Sequence, residues 1–345
     1  MSPCSASRSY SDATGAPLMI KPALIATLSL ALLGACSSDS DSGGSGGSGS
    51  LSLGVTDAPV DNAEAVVVAF TAVELLDAEG EVALRFDLDQ TQQVDLLEQQ
   101  GDNQFFLIQD EQIPVGVYEE VRLIVADQAN ASCSAAQSNP QHPSYITIGT
   151  TDFPLIVPSG GQSGLKVRGP LTIAAGGSAA YTVDFDLRKS IAERGATGCY
   201  NLRPVLRVVD NAQVGTLRGS INPALLADSS CIADPVTGRG AAVYVYPGAG
   251  VTPDDFDGTN PEPLTTALLK PELVGDDQLT SFSYEVGFLL EGNYTVALSC
   301  QAGNDLPAPS NDDIAFLQPT DVTVVRDTHV TVDFDVVPVV ETAVE

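Results

Sequence analysis

Apolar and polar residues alternate along residues 51–56, and a turn follows at 57–61. Residues 65–76 form a longer extended run rich in β-branched side chains. Period two sets Val66, Val68 and Phe70 on one face and Val67, Ala69 and Thr71 on the other. Both faces are apolar, which predicts a central strand covered on both sides. Shorter strands are expected at 81–87, 92–97, 121–125, 145–148, 153–157, 165–167, 180–187 and 205–209, with a turn at 113–118. Gly, Pro and Asn punctuate these runs, the pattern of a sandwich or barrel. One short helix is expected at 187–194, ended by Gly195.

The alternation restarts after the polar stretch Asp210-Asn211-Ala212-Gln213. Strands are expected at 215–221, 241–246, 282–289, 291–298, 321–325 and 329–336, with a long insert at 247–277. The fold class is therefore all-β, with two β-sandwich-like domains at 51–211 and 212–338 and a tail at 339–345. If each half has its own core, few contacts should cross between them. Tyr181-Thr182-Val183-Asp184-Phe185-Asp186 recurs as Val330-Thr331-Val332-Asp333-Phe334-Asp335. Strand period places each pair of aspartates on one face, opposite an apolar face, which predicts half-buried strands with solvated acidic sides.

Ahead of the sandwiches the pattern changes. Residues 22–35 are apolar apart from Thr27, Ser29 and Gly34, with Lys21 as a positive flank. The run is short of the roughly 20 residues a membrane span needs and has the length of a signal-peptide core. Leu33-Gly34-Ala35-Cys36 resembles the lipobox of bacterial lipoproteins. The resemblance implies diacylglycerol on the Cys36 thiol and cleavage just before it. Ser37, rather than Asp, after the cysteine implies export to the outer membrane, facing periplasm or surface. Residues 1–35 are thus a signal region, and Met19-Ile20-Lys21 is a better start for it than the polar, Ser-rich residues 1–18. Cys36 and the Ser/Gly/Asp-rich residues 37–50 then form a lipidated, flexible tether.

Composition narrows the role. The chain has 345 residues, 43% of them hydrophobic, enough for packed cores. Its 45 acidic and 15 basic residues give a formal charge of −30, which repels phosphate backbones and excludes nucleic acid as a partner. Trp is absent, which counts against stacking-type sugar binding. Cys4 leaves with the signal and Cys36 takes lipid. Cys133, Cys199, Cys231 and Cys300 remain, and an exported compartment permits disulfides among them. Four cysteines allow three connectivities. The boundary near Asp210 puts two in each half and favours Cys133–Cys199 with Cys231–Cys300.

Three sets of residues point to a family. They are Thr56-Asp57-Ala58-Pro59, then Pro114-x-Gly116-x-Tyr118 with Val121-Arg122-Leu123, and then Asp184-Phe185-Asp186, Lys189-Ser190-Ile191 and Tyr200-x-Leu202-x-Pro204-Val205. In this order they resemble the bacterial and archaeal domain-of-unknown-function family numbered 4382, over roughly residues 51–210. The resemblance implies an exported, often lipid-anchored β-rich domain without established activity, and it supplies no catalytic residues. The second half, with its Gly292-x-Tyr294-Thr295-Val296 strand before a final pair, loosely resembles carboxypeptidase-regulatory-like, transthyretin-like sandwiches.

Candidate chemistry is sparse. Asp254-Asp255-Phe256-Asp257-Gly258-Thr259-Asn260 packs hard oxygen donors around a glycine, as calcium loops do. A calcium site would use Asp254, Asp255, Asp257 and Asn260; a solvated loop is the plainer reading of the same residues. No other cofactor is implied. There is no G-x-S-x-G elbow, H-E-x-x-H or phosphate-binding glycine loop, and only His142 and His329 are available as imidazoles. The chain is therefore read as a non-enzymatic, lipid-anchored envelope protein with a binding or structural role. Its partners would be the membrane, through Cys36, and an envelope protein or polysaccharide. The alternatives are a polysaccharide-directed hydrolase using a carboxylate pair and a calcium-dependent adhesion module.

Overall fold

A computed structural model describes residues 47–58, 63–126, 142–275, 278–306 and 311–336. The signal region, Met19, Cys36, Cys133 and the tail lie outside the described residues. Within the compact unit Ser45–Glu345 the described chain is nearly all β.

The first half runs through β1 (Ser48–Ala58), β2 (Ala65–Leu76), β3 (Val82–Asp95), β4 (Phe105–Pro114), β5 (Gly116–Val125), β6 (Tyr145–Ile148), β7 (Thr151–Ile156), β8 (Leu165–Ile173) and β9 (Ser178–Asp186). A single helical turn, α1 (Leu187–Ser190), leads to β10 (Ile191–Glu193), β11 (Tyr200–Leu202) and β12 (Leu206–Asp210). One sheet has the order β12-β9-β1-β4, with β1 and β9 parallel. The other has the order β10-β11-β7-β6-β2-β5-β8, with β3 also on β2. Leu51, Leu53 and Val55 of β1 and Tyr181, Val183 and Phe185 of β9 face the core between the sheets. Opposite them lie Val66, Val68, Phe70, Val73 and Leu75 of β2. The inward set changes from even to odd numbers where the ladder of β2 shifts between Phe70 and Ala72. That bulge keeps one side of a long strand on one core and helps explain why both faces of the run read as apolar.

The second half contains β13 (Val214–Ile221), β14 (Ala242–Pro247), β15 (Thr265–Leu268), β16 (Lys270–Val274), β17 (Gln278–Leu290), β18 (Gly292–Ser299), β19 (Leu317–Val324) and β20 (His329–Thr331). Its sheets have the orders β16-β17-β13-β20 and β15-β14-β18-β19. Leu217, Val243, Val245, Phe282, Val296 and Leu298 lie in the core between them. Cys231 and Cys300 form the expected disulfide, 69 residues apart. Cys199 is fully buried and disulfide-bonded, and its expected partner Cys133 lies outside the described residues.

Several expectations are corrected. Ser48–Ser50, expected as the end of a tether at 36–50, instead pair with β4 and β9. Their small side chains allow this: a Cβ on Gly49 would stand 2.5 Å from the Ala174 carbonyl oxygen. The strands expected at 81–87 and 92–97 are one strand, β3, whose residues 88–91 bulge out of the ladder with β2. β4 lies where no strand is expected. The helix expected at 187–194 stops at Ser190, where Ser190 Oγ donates to the Asp186 carbonyl and accepts from the Val205 N–H. The chain then pairs as β10 with β11. The insert at 247–277 carries β15 and β16. The last strand is only His329–Thr331, although Phe334 still bridges to Ile221. Asp184 is not solvated: it is buried against Arg207 at 2.6 Å.

Contacts between the halves are also more numerous than expected. Asp102 accepts from Thr216 Oγ1, and its N–H donates to Glu285 Oε1 at 2.9 Å. Arg239 pairs with Glu64 at 2.7 Å. A Cβ on Gly287 would lie 2.1 Å from the Gly101 carbonyl oxygen, so the two backbones touch there.

Candidate functional site

β14 is apolar on both faces. Val243 and Val245 point into the second core, while Ala242, Tyr244 and Tyr246 point outward. In a plain sandwich the outward residues would meet water. Here Phe256 from the insert, Ala302 and Phe316 cover them, and Tyr244 and Tyr246 are fully buried. Burying a tyrosine requires a partner for its hydroxyl. Tyr246 donates to the Asp254 carbonyl at 2.5 Å, and Tyr244 donates to Asp305 Oδ2 at 2.6 Å.

The same wall receives two cations from the first half. Asp186 caps α1 by accepting from the Lys189 N–H at 3.1 Å, which fixes where Arg188 and Lys189 emerge. Arg188, with its side chain 4% exposed, donates to the Ala302 carbonyl at 3.2 Å and the Asp305 carbonyl at 3.4 Å. Its guanidinium carbon lies 5.5 Å from the Phe256 ring centre. Lys189 Nζ lies 4.5 Å from the same centre, 3.1 Å from Glu262 and 3.5 Å from Asp186. Phe256 therefore carries two cation–π contacts.

Beside Arg188 three carboxylates gather. Asp255, Asp305 and Asp312 each bring an oxygen within 4.8 Å of the others. Asp305 is fully buried at its side chain, accepts from the Phe256 N–H at 3.1 Å and stands 3.8 Å from Arg188 Nη1. Burial pushes its carboxyl above the usual range, against the Tyr244 bond and the Arg188 charge. Asp255 is 1% exposed. Its Oδ2 accepts from the Asp312 N–H at 2.5 Å, whereas its Oδ1 has no hydrogen-bond partner. Burial, with Asp254 nearby, raises this carboxyl too. Asp312 Oδ2 accepts from the Leu306 N–H at 2.8 Å.

The four residues expected to hold calcium are thus not brought together as a set. Asp255 joins the buried cluster. The Asp254 carboxylate accepts from the Asp255 N–H. Asp257 accepts from the N–H and hydroxyl of Thr259, and Asn260 is exposed. Asp305 and Asp312 come from a segment fifty residues further on, and spacing alone gives no signal for them.

Asp57, in the Thr56-Asp57-Ala58 segment, is also a buried carboxylate, apart from this cluster. It extends the core-facing side of β1, and neither of its oxygens has a hydrogen-bond partner. Burial, then the charges of Asp184 and Asp186, push its carboxyl well above the usual range. A cleft of about 310 Å³ opens nearby between the halves, lined in part by Asp184, Asp186, Lys189, Arg207 and Glu262. The two histidines stay outside these features. The His329 side chain is half-exposed, 3.7 Å from Asp102, and His142 is half-buried before β6.

No curated protein matches the chain. Among solved structures it is similar to a leucine-rich repeat protein from Bacteroides thetaiotaomicron, at 11% identity and TM-score 0.21, covering 84% of this chain and 26% of that one. It is similar to the Bacillus anthracis TIE protein at 10% identity and TM-score 0.18, covering 83% of this chain and 33% of that one. It is also similar to GBS52, the minor pilin of Streptococcus agalactiae, at 10% identity and TM-score 0.17, covering 82% and 94%. The chain spans about a quarter and a third of the length of the first two. Residues 48–204, the stretch that holds nearly all of the first core, match the family described as a domain of unknown function (DUF4382).

Proposed function

We propose that the chain is a lipid-anchored protein of the cell envelope, held in the outer membrane through Cys36, with a binding or structural role and no catalytic one. The lipobox-like residues support the anchor. No helix among the described residues is long and apolar enough to cross a membrane. The attachment proposed is lipid on the cysteine.

The use of charge in the cleft between the halves carries the role. A catalytic carboxylate pair must keep one group free to move a proton and the other free to meet substrate. Here Asp184 is held by Arg207 at 2.6 Å, and Asp186 and Glu262 are both held by Lys189. The Lys189–Glu262 pair ties one half to the other, and together the three pairings leave the cleft without an available acid–base pair. A two-core β body of this kind suits presentation of a surface to an envelope protein or polysaccharide.

Incubating the purified protein with envelope and environmental polysaccharides tests this directly. Retention of a polysaccharide without release of reducing ends is expected if the partner is a polymer, and neither retention nor release if it is a protein. Sustained release of reducing ends, lost when Asp184 or Glu262 is replaced by the corresponding amide, contradicts the proposal.

A further inference from the structure

We propose that Asp255, Asp305 and Asp312 bind one divalent cation, with calcium the ion their chemistry suits. Three observations support the site. The ligand oxygens lie within 4.8 Å of one another, and two calcium–oxygen bonds of about 2.4 Å span that distance. All the donors are hard carboxylate oxygens, the set that favours calcium over softer metals. Asp255 Oδ1 is sealed from water and has no hydrogen-bond partner, a costly state that coordination to an ion would relieve.

Charge points the same way. Ionised, the three carboxylates outweigh the adjacent Arg188 guanidinium by two negative charges. One divalent ion neutralises that excess. Mechanically, the ion would staple the insert carrying Asp255 to the segment carrying Asp305 and Asp312. That segment also supplies the Ala302 and Asp305 carbonyls that receive Arg188. Calcium would thus tighten the wall on which the first half is seated. This goes beyond the proposed envelope role, and a null result with calcium leaves the polysaccharide experiment untouched.

The test is calorimetry on the purified protein after chelation. Titration with calcium chloride is expected to show one equivalent bound. Calcium at a hundredfold excess over Kd should raise the melting temperature by roughly 3–5 °C over sodium chloride of equal ionic strength. Asp312→Asn, at a half-exposed position that tolerates the amide, should weaken binding at least tenfold and abolish the shift. Asp255→Asn should do the same, while Asp257→Asn should bind calcium as the unaltered protein does. Three results would overturn the site: no heat and no calcium-specific shift, an equal shift in Asp312→Asn, or loss of the shift in Asp257→Asn alone.

Discussion

Arg188 reaches from the first core into the wall of the second, donating to two carbonyls beside Asp305. Both partners of this pair are sealed from solvent, so removing one leaves a buried charge uncompensated. Arg188→Met is expected to cost about 3–5 kcal/mol in denaturant unfolding under chelation. Asp305→Asn in the same background should recover a large part, because it removes the orphaned charge; a single-variant cost near zero would show that the pair is structurally idle. Asp57 makes a different prediction. Its folded-state carboxyl titrates above the unfolded one, so the native state holds the proton more tightly. The protein therefore loses stability as pH rises from the unfolded value toward the folded one. Asp57→Asn mimics the protonated acid and should be close to neutral near pH 3. At pH 7 it should stabilise, by about 1.4 kcal/mol for each unit of the shift that lies below pH 7. A variant destabilised more at pH 7 than near pH 3 would mean that Asp57 serves as a carboxylate.

Between the halves, Gly287 of β17 packs closely against the turn at Gly101. A Cβ at 287 would meet backbone rather than a side chain that could swing aside. Gly287→Ala is expected to cost about 1–3 kcal/mol by forcing the halves apart. Gly116→Ala, where a Cβ meets nothing within 4 Å, should change stability by less than about 0.5 kcal/mol. Equal effects would show that the contact is not tight. Strands such as β2, β9, β14 and β18 were legible because their alternating residues pack on a core. Ser48–Ser50 were not, because Ser and Gly read as tether even where small size is what lets a strand approach its neighbour. β15 and β16 were hidden in an insert that looked like loop. The helix after β9 was overread because Ser190 closes it by bonding to both the Asp186 carbonyl and the Val205 N–H, a tertiary contact no local pattern reveals. At the candidate site, Asp255 was legible as part of an acidic, glycine-containing loop. Asp305, Asp312 and Arg188 were not, since only folding brings residues so distant in sequence together.

At the scale of the molecule, two cores share one compact unit, stitched by ion pairs, cation–π contacts and backbone contact. The whole chain carries a formal charge of −30, a balance that repels phosphate backbones. If Cys36 carries the lipid, residues 37–47, mostly Ser and Gly, would separate it from β1 by a mean reach of roughly 15–20 Å as a flexible chain. That length would hold the body close to a membrane without fixing its orientation. The attachment itself is tested by the mass of the mature amino-terminal peptide, taken from isolated membranes. A peptide beginning at Cys36 and carrying diacylglycerol on its thiol is the predicted result. An amino terminus elsewhere, or an unmodified Cys36 on protein recovered from the membrane, would contradict it.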